Sequence, residues 1–302
     1  MPSTAEGEHG RLTLAGGIHF GCRFGIVSRV TPRPPYRHAP LVYVILQVTH
    51  PLVSVPISRG EEAALKAKFV GRLPLVSREQ MTQLEFQGRL DGGQPSTRTH
   101  VEEHVRFSAR DKRTSVTFAP NAVTVETTRY ETWEDFRAIA ETGLAARMDV
   151  APVDGVERIG LRYVDEVRIP GGESPDWRTW VEPQLAPPVL DVAAGELFPY
   201  QQQSVVQFKT ARPGVGVVLR YGAVEGPSTM QGLPLFTPKT PPSAPFFLVD
   251  TDASWTPAPG DEVPPLEPGK VLDEADVLHG YVKDLFEASL TDRLRSEVLD
   301  AD

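Results

Sequence analysis

Apolar and polar positions along the chain mark out two successive series of strands, each closed by an amphipathic helix. Residues 41–49 (LVYVILQVT) are aliphatic, β-branched or aromatic on both parities, which predicts a core strand covered on both faces. Residues 60–70 carry helix formers and set Ala64, Leu65 and Phe69 near one face, so a short helix follows. Runs at 101–109, 115–119 and 122–128, parted by ArgAspLysArg and ProAsn turns, predict an antiparallel three-strand meander. Thr132 then caps a helix in which Trp133, Phe136, Ala140, Leu144 and Met148 recur at spacings of three and four.

The order repeats. A strand at 159–169 precedes a short helical or irregular piece at 176–185, strands at 204–210, 215–221 and 246–251, and a long helix at 273–298 with a possible new cap at 289–292. The expected fold class is α+β, with two similar halves, each a strand, a short helix, a three-strand meander and a long helix. Residues 1–40 form a partly ordered N-terminal extension, 41–150 the first half, and 151–302 a second half packed on it. One shared sheet and two separate sheets both satisfy the pattern.

Composition narrows the class of protein. Hydrophobic residues make up 40% and charged residues 24% of 302, which suits a chain that buries a core. The net charge of −9 argues against a broad phosphate-binding face, so nucleic acid is disfavoured as a partner. The one cysteine, Cys22, rules out an intramolecular disulfide or a multi-cysteine metal site and fits a reducing, cytoplasmic setting. Neither a signal peptide nor a membrane-spanning run is expected. Twenty-nine prolines gather in 31–40, 226–245 and 256–268, which predicts loops there.

Three segments form a pattern: VETTRYETWEDF at 125–136, RIGLRYVDEV at 158–167 and LHGYVKDLFEASLTDRLR at 278–295. Together they resemble the sporadically distributed bacterial proteins of unknown function. That family shares a Tyr-x-x-Trp/Arg-x-x-Phe helix start, a Gly-Leu-Arg-Tyr strand and a C-terminal helix with His, Phe and Thr-Asp. The resemblance covers about residues 40–298, and Asp165 stands where the family more often carries asparagine. It implies a bacterial, intracellular protein and supplies no activity, cofactor or catalytic residue.

Several side chains are candidates for chemistry. His100, Glu102 and His104 match the H-x-x-E-H spacing of inverted zinc peptidases, but that motif needs a helix. Val101, Val105 and Phe107 share one parity here, so the segment reads as a strand with a solvated polar face and no metal is assigned. Arg162, beside Tyr163 and Asp165 in mid-strand, is a ligand clamp or, by preference, a buried structural tie to Glu157, Asp165 or acids on the last helix. His279 has Asp276, Lys283 and Asp284 within helical reach and reads first as an interface histidine. No motif places a nucleophile or a phosphate loop, and no cofactor is expected. The leading expectation is a non-catalytic protein-binding or adaptor module, its partner another protein or a second copy. The alternative is a hydrolase or nuclease whose acidic and histidine site assembles from distant strands. Three acids or histidines in one pocket would favour the alternative, and an open strand edge would favour the binder.

Overall fold

The computed structural model describes residues 36–87, 96–171, 175–188, 201–230, 234–237 and 244–301, with backbone alone at 81–87 and 96–100. Nearly all of the expected extension, Cys22 and much of the proline-rich 226–245 loop therefore lie outside the described residues.

Nine strands form one antiparallel sheet: β1 (Leu41–Thr49), β2 (Leu75–Gln87), β3 (Ser96–Ser108), β4 (Thr114–Ala119), β5 (Ala122–Thr127), β6 (Arg158–Val167), β7 (Ser204–Lys209), β8 (Val215–Gly226) and β9 (Ala244–Trp255). Their spatial order is β2-β3-β4-β5-β1-β6-β9-β8-β7. β1 and β6 pair with each other in the middle, Val44 opposite Tyr163 and Val48 opposite Ile159. That placement explains the apolar character of β1 on both parities, since central strands are covered on both sides.

Helices α1 (Arg59–Phe69), α2 (Trp133–Val150) and α3 (Pro268–Ala288) pack on one face. One row of the sheet shows the core they cover: Phe107, Val116, Val125, Leu46, Leu161, Ala253 and Val217 are cross-strand neighbours and all buried. Ser58 closes a capping box with Glu61 at the start of α1, and Thr132 accepts from the Asp135 amide at the start of α2. Gly143 lets α2 approach the sheet closely, because a Cβ there would sit 3.0 Å from a Val116 methyl.

Two sequence expectations need correction. The first-half meander gains a fourth strand, β2, whose LVSREQMTQLEFQ composition is too polar for a core signal because it forms a sheet edge. The last helix starts at Pro268 and stops at Ala288, after which Thr291 caps the short α4 (Asp292–Leu294). Pro268 at the first turn costs no hydrogen bond, which is why a proline opens this helix.

The second face is strapped by the described parts of the 226–237 segment. Met230 and Leu235 bury into a small cluster with Tyr43, Val164, Phe246 and Leu248. The Phe236 amide reaches Lys112 O at 2.8 Å, and Thr128 Oγ1 donates to Phe236 O at 2.6 Å. The strap is anchored by Glu166, which accepts from Ser228 Oγ, the Thr229 amide and Thr229 Oγ1 at 2.8, 2.8 and 2.9 Å.

Candidate functional site

Alternation along β6 sends Arg162 to one face of the sheet and Tyr163 and Asp165 to the other, so the predicted trio is divided. On the helix face, Tyr163 is joined by His279 of α3 and by Trp133 and Tyr130 from the start of α2. The His279 ring lies parallel to Trp133, centroids 4.4 Å apart, and its Nδ1 is 3.1 Å from Tyr163 Oη. Tyr163 Oη donates to Tyr130 Oη at 3.0 Å, and Trp133 Nε1 donates to Asp276 at 2.7 Å. Trp133 is therefore half-buried between α2 and α3. Burial, aided by Lys283, pushes the His279 pKa down to about 4, so the ring is neutral near pH 7. Burial also raises Tyr130 to about 12 and Tyr163 well above its ordinary value. This group is an aromatic tie between α2, α3 and the central strand, with both tyrosines protonated.

Asp165 lies in the same face of β6, 5% exposed, and its carboxyl has no hydrogen-bond partner among the described residues. Burial first, and then the charge of Asp250, raises its pKa well above the carboxylate range.

Arg162 differs from the expectation of a mostly buried tie to Glu157, Asp165 or the last helix. Its side chain is 42% exposed and clamps Asp250 of β9 through Nε at 2.7 Å and Nη2 at 2.8 Å. The physical reason is parity: α3 covers the opposite face, out of its reach. Arg220 of β8 approaches the same carboxylate only to 3.6 Å, beyond hydrogen-bond distance, and Asp250 is itself 4% exposed. Arg162, Arg220 and Asp250 line a cavity of about 250 Å³ with Gln203, Ser204 and Thr229, floored by Met230 and Leu248. Asp250 and Arg220 carry no motif, and only the pairing register, Arg220 opposite Asp250, unites them. The sequence held no signal for either.

The cavity abuts β7, the outermost strand on that side of the sheet among the described residues. The Gln202 amide donates to Ala223 O at 3.0 Å, and this register continues through Ser204 opposite Tyr221 and Val206 opposite Leu219. In an antiparallel ladder alternate residues exchange hydrogen bonds, so the backbone groups of Val205, Gln207 and Lys209 point away from β8. Val205 is 61% and Phe208 38% exposed on this edge.

The H-x-x-E-H segment lies in β3 as a strand. Glu102 Oε2 and His104 Nε2 are 3.4 Å apart on the face away from the helices, while the His100 side chain lies outside the described residues. Among the described residues, no three His, Cys, Asp or Glu side chains are grouped to hold a metal ion, and no helix is long and apolar enough to cross a membrane. A comparison with models of known protein families finds no match, and one with curated proteins finds none either.

Proposed function

We propose that the chain is a non-catalytic protein-binding module that takes an extended segment of a partner protein as an additional strand on β7. The observation that carries this reading is the β7 edge, which pairs with no further strand among the described residues and has three outward-facing residues and exposed Val205 and Phe208. Such an edge is a template for strand addition, in which backbone hydrogen bonds provide affinity and neighbouring pockets provide selectivity. A broad platform behind the edge fits the same reading. From the β1–β6 boundary outwards, the strands run β1, β5, β4, β3, β2 on one side and β6, β9, β8, β7 on the other. Each series places its first strand at the centre and the later strands outward in reverse order, with one strand more in the first, and this shared order supports two similar halves and an origin by duplication. The proposal includes a cytoplasmic setting and membership of the sporadically distributed bacterial family, supported by the GLRY strand of β6 and the TD cap of α4.

The test uses peptides selected from a random heptapeptide library for binding to the purified chain. A Gln207→Pro substitution removes one outward donor and obstructs an added strand, while leaving the hydrogen-bonded β8 pairs in place. Binding of the selected peptides should fall at least tenfold. Undiminished binding by the variant would refute the reading, and a dimer of the chain that Gln207→Pro dissociates would assign the edge to a second copy instead.

A further inference from the structure

Around the cavity beside β7, arginines outnumber carboxylates. Glu166 is paired with Arg168 at 2.8 Å, Asp252 with Arg158 at 3.4 Å, and Asp250 with Arg162 at 2.7 Å. Arg220, which lines the cavity with Arg162, has no carboxylate to itself. Its guanidinium is 41% exposed, makes no hydrogen bond to a described residue, and faces a carboxylate whose strong contacts are already taken by Arg162. In the cavity lining Arg162 and Arg220 share the one carboxylate of Asp250, which leaves one positive charge in excess in a chain whose net charge is −9. A guanidinium presents five donors in a planar fork suited to a carboxylate.

We infer that Arg220 and the surrounding cavity accept the carboxylate of an acidic side chain carried by the segment that adds to β7, an assignment that rests on the strand-edge reading above. Distance supports it. Val205 is the cross-strand neighbour of Arg220, so a residue added opposite Val205 lies two strand spacings, roughly 10 Å, from the Arg220 backbone. A glutamate and an arginine side chain together span that gap. Polar and apolar linings divide the remaining contacts: Ser204 and Gln203 lie toward the edge, and Met230 and Leu248 form an apolar floor for the glutamate methylenes. Thr229 is already committed to Glu166, which leaves Arg220 as the principal donor to an incoming anion.

The experiment uses those selected peptides whose binding Gln207→Pro abolishes. They are expected to share an acidic position, and changing that glutamate to glutamine should weaken binding about tenfold. In Arg220→Met the two peptides should bind equally, with the affinity for the glutamine form unchanged and the thermal midpoint close to that of the parent. Equal affinity of both forms for the parent protein, or a preference that survives Arg220→Met, would overturn the carboxylate assignment and leave the strand reading standing. A selection without any peptide sensitive to Gln207→Pro would overturn both. Saturable binding of acetate at Arg220 with no gain when the carboxylate is carried on a strand would overturn it in favour of a free small-molecule site.

Discussion

Replacing Asp165 with asparagine should stabilise the protein, and by an amount that grows with pH. The carboxyl is 5% exposed, has no hydrogen-bond partner among the described residues, and is raised in pKa by burial and by Asp250. Because its folded pKa lies above the unfolded value of about 3.9, the protonated form's contribution is complete below that value. It is lost as pH climbs toward the folded pKa. Each pH unit inside this window costs about 1.4 kcal/mol. Asparagine does not titrate, and any cost of its own unpaired amide is constant with pH. The assay is urea denaturation of both proteins, followed by tryptophan fluorescence, at pH 5, 6, 7 and 8. Tyr130 and Tyr163 lie on the same face as the carboxyl and are protonated throughout that range, while Asp250 acts on it from the opposite face of the sheet. The stability difference should rise steadily from pH 5 and then level off at the folded pKa. A difference that is the same at every pH, or one that favours aspartate as pH rises, would refute the argument.

Other substitutions test the packing and the ion pairs. Phe136 is 3% exposed between Tyr130 and Trp133, so Phe136→Ala should cost about 3–5 kcal/mol, and an unchanged denaturation midpoint would contradict that. His279 has a depressed folded pKa of about 4, so its contribution is intact above pH 6.5 and lost as pH falls through the window below. Relative to His279→Gln, the parent should lose about 3 kcal/mol between pH 7 and 4, measured by urea titration, with Glu134, Asp276 and Lys283 present in both proteins. Arg162→Met should destabilise by about 2 kcal/mol because it strips two hydrogen bonds from the buried Asp250, whereas Arg220→Met should stay within about 0.5 kcal/mol. Equal costs for the two would mean that Asp250 is shared between them.

The central strands and the first two helices were legible because their signals are local. Continuous apolar character marked β1, and Ser58 and Thr132 supply side-chain caps at helix starts. β2 was not legible, since an edge strand needs no apolar run and its pairing with β3 is a long-range property. The parity that placed Glu102 and His104 on a polar strand face succeeded because alternation is a period-two rule. Applied to β6, the same rule separates Arg162 from Tyr163 and Asp165, yet a sequence cannot say which face the helices will cover. Asp250 and Arg220 reach the site from strands 88 and 58 residues along the chain, 250 − 162 and 220 − 162, joined to β6 by register alone. Stacking of His279 on Trp133 depends on how α2 and α3 lie against one another, which helical spacing does not contain.

The most direct test of strand addition at β7 is residue-resolved amide hydrogen exchange with and without a selected peptide. The outward N–H groups of Val205, Gln207 and Lys209 should each become at least tenfold more protected on binding, while those of Ser204, Val206 and Phe208, already directed at β8, change little. Tight binding with no added protection at Val205, Gln207 and Lys209 would contradict the account.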